Sequence, residues 1–375
     1  MNLTVVGAGN MGLAITAYTA VKDNVNVCLF TQKNVLEKGA LRLRDLEFDL
    51  DYATDSFRVT DDPKEAFENA DMILVTYPAF LRPGFISNYQ KYIRPGSSVG
   101  FVPGYGGAEY YCVDLIRKGV CIFGFQRVPY VARASEDESG KTAGILSRKK
   151  TLFIGAIPSA KTPEVATVVE ELLDIPVTQV KEYLSITLAP SNPLLHITGL
   201  YNVFSDHQAG QLYPHPMKFY EEWNDRTSEL LFSYDEELQE ICKALAPLDM
   251  SEVVPLPIYY ESPTPEKMTQ KLKSIESFKA VMVPLKKVET GYEPDLFSRM
   301  FVEDYPYGVC VIKDFAVMTG VKTPTVDLML YFYQKLSGHR YFDEKGNYTE
   351  EIASTGVPGI HGLRTIQDIV DFYHK

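Results

Sequence analysis

Hydrophobic residues first gather in a short run, Leu3 to Val6, which enters a turn with glycines at Gly7, Gly9 and Gly12. A helix-like stretch, Leu13 to Val21, comes next, and then a second apolar run, Val25 to Phe30. The same punctuation recurs through the first half of the chain. Buried-strand patterns lie at Asp71–Thr76, Ser97–Pro103, Val120–Phe125 and Lys149–Gly155, with a short helix at Pro63–Asn69 after a charged turn. Strands alternating with helices predict a mostly parallel, doubly wound α/β sheet. After Val180 the period changes to that of helices. Asn192-Pro193 opens one helix, Met217–Leu245 reads as a long charged one, and Ser274–Pro284 and Pro306–Thr319 follow. Thr323-Pro324-Thr325 is a helix-entry signal before Val326–Leu336, and an amphipathic run, Thr365–Tyr373, closes the chain. The predicted domains are an α/β one over 1–181 and a helical one over 182–375.

The glycines set the chemistry of the first domain. Gly7 makes the tight turn, Gly9 lets backbone approach a pyrophosphate, and Gly12 lets the helix pack on the strand. The free N–H groups of the helix start, at Asn10 and Met11, suit phosphate oxygens. A G-x-G-x-x-G string between a strand and a helix therefore predicts a dinucleotide site. Where NAD-specific folds place an acid after the second strand, this chain has Thr31, Gln32 and Lys33. A hydroxyl, an amide and an ammonium suit a 2′-phosphate, which favours NADP(H) over NAD(H). Tyr77 and Pro78 follow a strand at its carboxyl end, where ligands of such sheets lie.

Composition narrows the partners. The 375 residues are 45% hydrophobic and carry a net charge of −12. That balance disfavours nucleic acid and anionic membranes. No run of 18 apolar residues occurs, and the first strand begins without a basic n-region or cleavage site, so neither a membrane span nor a signal peptide is expected. Five cysteines without a CxxC pair fit reduced thiols in the cytoplasm and no metal site.

Hydride transfer to a carbonyl or imine needs a proton donor, and histidine is the usual one. Of six histidines (196, 207, 215, 339, 361 and 374), His196 stands at the start of the first helix beyond the nucleotide domain. His207 and His215 are its rivals. An imidazole in this role needs a carboxylate partner. Ser298 to Gly308 offers Arg299 and Asp304, and an arginine can grip a substrate carboxylate with two hydrogen bonds.

Gly7 to Gly12, Val128-Pro129-Tyr130-Val131-Ala132-Arg133, Asn192-Pro193-Leu194-Leu195-His196, Arg299 to Gly308 and Gly320 to Asp327 together resemble the octopine/nopaline (opine) dehydrogenases, in that order and over nearly the whole chain. The resemblance implies a Rossmann domain followed by an all-helical one, with the active site between them. It also implies NAD(P)H-dependent condensation of an amino acid with a 2-keto acid to an N-(1-carboxyalkyl) amino acid. By motif, His196 looks like the catalytic proton donor and acceptor, Asp304 its carboxylate partner, Arg299 the group on the keto-acid side, and Asn192 a contact to substrate or nicotinamide. A homodimer is left open. The chain departs from some members at Ile197-Thr198-Gly199, where they are proline-rich, and shows no substrate motif between His207 and Thr264. Two other readings remain. A 2-hydroxyacid, glycerol-3-phosphate or ketopantoate-type reductase would rely on a lysine such as Lys218 or Lys313. A non-catalytic NADP(H)-binding sensor would not use the His196, Arg299 and Asp304 set.

Overall fold

The computed structural model describes residues 1–32, 40–137, 140–189 and 191–374. The first half of the chain forms strands β1 (Asn2–Val6), β2 (Asn26–Phe30), β3 (Leu41–Asp45), β4 (Leu50–Thr54), β5 (Phe57–Thr60), β6 (Met72–Val75), β7 (Ser98–Phe101), β8 (Cys121–Phe125), β9 (Tyr130–Asp137), β10 (Gly140–Arg148), β11 (Leu152–Ile157) and β12 (Val177–Gln179). Eight of them make one sheet in the order β12-β11-β8-β7-β6-β1-β2-β5. From β8 to β5 all neighbours are parallel, while β11 runs antiparallel to β8 (Ile154 opposite Phe125). The expected α/β sheet is present. The chain leaves β1 for helix α1 (Asn10–Thr19) and returns to β2, and order reverses between β1 and β6, which makes that point the switch where ligands of such sheets lie.

A second sheet, β4-β3-β10-β9, is absent from the sequence reading. It covers α1, whose Leu13, Ala14 and Ala17 join Leu41, Leu43, Tyr130, Ala132, Ala143 and Ile145 in one core. At its edge Arg148 and Asp45 are both fully buried, with side-chain exposures of 2% and 0%. Arg148 donates from Nε and Nη2 to Asp45 Oδ2 at 2.8 and 2.6 Å and from Nη1 to the carbonyl of Leu173, the last residue of helix α2 (Thr162–Leu173). The rings of Phe48 and Tyr18 lie 4.0 and 4.2 Å from the guanidinium carbon. One side chain thus fastens α1, α2 and both strands β3 and β10.

The chain divides into two units, Met1–Thr187 with the chain from Val370 onward, and Leu188–Ile369. This corrects the expected boundary after residue 181 and returns the final turn to the first unit. The cause is a polar knot around the loop after β7. Glu109 is fully buried. It accepts hydrogen bonds from the Thr187 hydroxyl and, at 2.9 Å, from Tyr373 in the closing helix. Tyr183 donates to the Gly104 carbonyl at 3.1 Å, and the Tyr110 and Tyr373 hydroxyls meet at 2.8 Å. Burial raises the Glu109 carboxyl from 4.5 to about 7, with Thr187, Tyr373 and Arg82 pulling the other way. The native state therefore loses stability as pH rises from 4.5 through about 7, by ~1.4 kcal/mol for each pH unit crossed. Glu109→Gln is expected to abolish this slope. Melting temperatures of wild type and variant should diverge by several degrees more at pH 8 than at pH 5, and parallel curves would contradict the assignment.

The second unit is mainly helical. Its helices include α3 (Ser191–Phe204), α4 (Asp225–Ala244), α5 (Pro265–Ser274), the single turn α6 (Arg299–Val302), α7 (Cys310–Thr319) and α8 (Pro324–Ser337), and the closing helix α9 (Ile366–His374) crosses back to the first unit. Three expectations fail here. Residues 217–224 are not helical: Phe219 N donates to the Val281 carbonyl and Tyr220 stacks on Phe278 at 4.3 Å, so aromatic burial decides the path. Asn224 then caps α4 by accepting from the Thr227 amide at 3.0 Å. The 274–284 stretch forms only one short turn, Glu276–Phe278, and a hairpin, β13 (Leu285–Val288) with β14 (Gly291–Pro294), follows where no strand was expected. Glu237 on α4 accepts from the Thr325 and Val326 amides at 2.7 and 2.9 Å, so a carboxylate from a neighbouring helix satisfies the start of α8.

Candidate functional site

The glycine turn can be tested sterically. Gly7 has φ +101°, a conformation that side chains rarely adopt. A Cβ at Gly12 would lie 1.8 Å from the Gly7 carbonyl oxygen, so only glycine lets α1 approach this close. A Cβ at Gly9 would meet nothing within 4 Å, which leaves open space over the first turn of α1. Gly9 is the cap residue of that helix and no side chain caps it. Uncapped amides beside open space form the cradle that a pyrophosphate needs. Met11 is half-buried within that first turn. Asn10 serves differently: its Oδ1 accepts from the Ala134 amide at 2.9 Å, which ties α1 to β9.

Thr31 follows β2 in a buried position, and its amide donates to the Thr60 carbonyl. Gln32 donates from Nε2 to the Tyr89 hydroxyl at 3.0 Å. Lys33 lies outside the described residues. Tyr77 and Pro78 follow β6, and the Tyr77 ring would stand 3.0 Å from a Cβ at Gly7, so it sits against the glycine turn. The residues present thus fit a dinucleotide.

The second constellation lies in the Leu188–Ile369 unit. His196 occupies the second turn of α3, and its Nδ1 is 2.8 Å from Asp304 Oδ2. The two residues are 108 apart in sequence. One close contact joins the two segments, and a second places Phe219 beside the imidazole. Gly308 packs on Pro193, where a Cβ would come within 2.6 Å of the proline ring, and Gly199 lies under Phe219, where a Cβ would come within 2.3 Å. The Phe219 ring stands edge-on to the His196 ring at 5.9 Å. Asp304 precedes a π-helical turn, Tyr305–Val309, in which the Val309 amide donates to the Asp304 carbonyl at 3.0 Å. Such turns insert one residue into a helix and are common at functional sites. Tyr305 stacks on Tyr333 at 3.9 Å and holds this turn from below.

Burial raises the Asp304 carboxyl above the usual range, and the facing His196 draws it back down. The pair is largely withdrawn from water, with side-chain exposures of 18% and 5%. His339 and His374 also meet carboxylates, but their side chains are 52% and 45% exposed. His207 stacks on Tyr213, and His215 is exposed. Asn192 is exposed in the first turn of α3, one turn before His196. The lysines of the rival reading are engaged: Lys313 with Asp327 at 2.5 Å and Lys218 with Glu221 at 2.8 Å. Arg299 pairs with the neighbouring carboxylate, that of Glu303. It donates from Nε to Glu303 at 2.6 Å and also meets it through Nη2. Glu303 escaped the sequence reading, although an arginine and a glutamate four apart on a helix are a recognisable pair.

Residues 179–337 match the family model described as NAD/NADP octopine/nopaline dehydrogenase, alpha-helical domain. The chain is 25% identical to a tauropine dehydrogenase of Arabella iricolor, with 98% of this chain and 99% of that protein aligned. It is 24% identical to an octopine dehydrogenase of Pecten maximus, over 99% and 98%. The helical part of the chain thus carries an octopine/nopaline dehydrogenase domain, and relatives named as opine dehydrogenases align along nearly all of its length. A solved octopine dehydrogenase with NADH and L-arginine shares the fold, with a TM-score of 0.87 at 23% identity over 100% of this chain and 98% of that one. The enzyme is therefore a nicotinamide-nucleotide-dependent dehydrogenase of the opine type. Among the described residues no helix is long and apolar enough to cross a membrane.

Proposed function

We propose that the enzyme joins the amine of an amino acid to a 2-keto acid and reduces the resulting imine to an N-(1-carboxyalkyl) amino acid. The observation that carries this reading is the His196–Asp304 contact at 2.8 Å, with the carboxylate buried. Asp304 engages Nδ1, so Nε2 is the nitrogen that works on substrate. It takes a proton from the α-ammonium group and frees the amine lone pair to attack the keto carbon. The same proton returns to the carbinolamine oxygen, which leaves as water when the C=N bond forms. Arg299 holds the keto-acid carboxylate, and Asn192 contacts substrate or nicotinamide beside the imidazole. The gain is chiefly one of orientation among three components. When bound, the reduced nicotinamide supplies the hydride. Gly7, Gly9, Gly12 and the amides of Asn10 and Met11 hold the pyrophosphate, and Tyr77 and Pro78 border the site.

The nucleotide half of the reading is NADP(H) in preference to NAD(H). Its support is a chain with Thr31, Gln32 and Lys33 after β2, where NAD-specific folds place an acid. A kcat/KM at least about tenfold higher with NADPH than with NADH is expected, and the reverse ratio would overturn that preference. The five cysteines, all free and buried, support a reduced, cytoplasmic setting. The oligomer compatible with the reading is a homodimer, which sedimentation would test.

The direct test is an NADPH-oxidation screen of amino acids against pyruvate, oxaloacetate, glyoxylate and 2-oxoglutarate. Turnover that requires both components is expected. Oxidation driven by keto acid alone would replace this reading with that of a 2-hydroxyacid or ketopantoate-type reductase. Binding without turnover across the panel would replace it with that of a nucleotide sensor.

A further inference from the structure

We propose that Glu303 is the positioning residue of the keto-acid site: it fixes the Arg299 guanidinium as Asp304 fixes the His196 imidazole. This rests on the reading of Arg299 as the group that binds the keto-acid carboxylate. The Glu303 side chain is 3% exposed, whereas that of Arg299 is 67% exposed. An arginine so placed would ordinarily sample many rotamers, and a surface pair would restrain it little. Here the acid is buried, and a buried carboxylate gains strongly from a cation that reaches it. Glu303 Oε2 receives both Nε and Nη2, so it holds the guanidinium from its side edge. A planar fork gripped at one edge has a fixed plane, which is what two-point recognition of a carboxylate requires.

The backbone around Glu303 is itself restrained. Its carbonyl accepts from the Tyr307 amide at 3.0 Å, and the next carbonyl, that of Asp304, accepts from Val309 at 3.0 Å. Two successive residues thus carry the two carboxylates, and each carboxylate holds one functional side chain. Spacing between imidazole and guanidinium is then set by one peptide unit at the mouth of a π turn. The pair also acts on its neighbour, since Glu303 raises the Asp304 carboxyl and Arg299 lowers it.

The experiment is steady-state kinetics of the full chain with whichever of the four keto acids turns over best. Glu303→Gln keeps the shape and removes the charge. Its expected effect is a KM for the keto acid raised about 10- to 100-fold. The kcat should stay within about threefold, and the KM values for amine and nucleotide should not change. Glu303→Asp, which keeps the charge on a shorter stem, should fall between wild type and Glu303→Gln, and it serves as the reading if the amide variant does not fold. Arg299→Gln is measured beside them. If Arg299→Gln raises the keto-acid KM and both Glu303 variants do not, Glu303 has no positioning role. If none of the three raises it, the reading of Arg299 itself fails. A rise in all three KM values with a matching fall in kcat would mark Glu303 as merely structural and overturn the proposal.

Discussion

Asp304→Asn should lower kcat by about 10³- to 10⁴-fold while dinucleotide affinity stays within about twofold. The buried carboxylate accepts the Nδ1 proton of His196 and keeps Nε2 as the basic nitrogen. An asparagine at that place can donate to Nδ1 instead, which moves the ring proton to Nε2 and removes its ability to accept one. It also removes the charge that stabilises the imidazolium formed when the amine is deprotonated. Single-turnover rates and nucleotide titration on the same preparation separate the two effects. His196→Ala should cost a comparable factor, and the double variant should cost little more than either single one, because the two side chains act as one unit. A kcat for Asp304→Asn within tenfold of wild type would remove the pair from the chemistry.

Arg148→Met is expected to have the largest effect on stability, about 3–5 kcal/mol. The methionine retains much of the apolar stem but leaves Asp45 as a buried carboxylate without its cation, and the rings of Phe48 and Tyr18 lose their charged partner. For a protein of this size the melting transition should fall by roughly 5 °C. The companion Asp45→Asn, added to Arg148→Met, should restore a good part of the loss, because the penalty comes from the unpaired charge. A fall below about 1 kcal/mol in the single variant, read from denaturant midpoints, would mean that the pair contributes no more than an exposed one.

How legible these features are in the sequence depends on how local their causes are. The turn from Gly7 to Gly12 is readable because its steric requirements lie within six residues. The parallel sheet is readable because its strands are continuous apolar runs. The covering sheet escapes: β3 alternates buried and exposed residues over only five positions, and its partner β10 lies about a hundred residues later. The helical reading of 217–224 fails because Phe219, Tyr220 and Trp223 are drawn into an aromatic cluster. The hairpin at 285–294 escapes because no position along either strand is fully buried, so no apolar run marks it. His196 and Asp304 could be paired through family resemblance alone, since no periodicity links positions 108 apart. Glu303 had a local signal, its spacing from Arg299, but in an exposed helix such a spacing usually marks a solvated pair. Its burial became visible only with the fold.

The phenol of Tyr373, two residues from the end of the chain, shares a carboxyl with Thr187, the last residue before the polypeptide passes into its second unit. Any change that removes the Tyr373 phenol would therefore disturb the loop after β7 in the amino-terminal half.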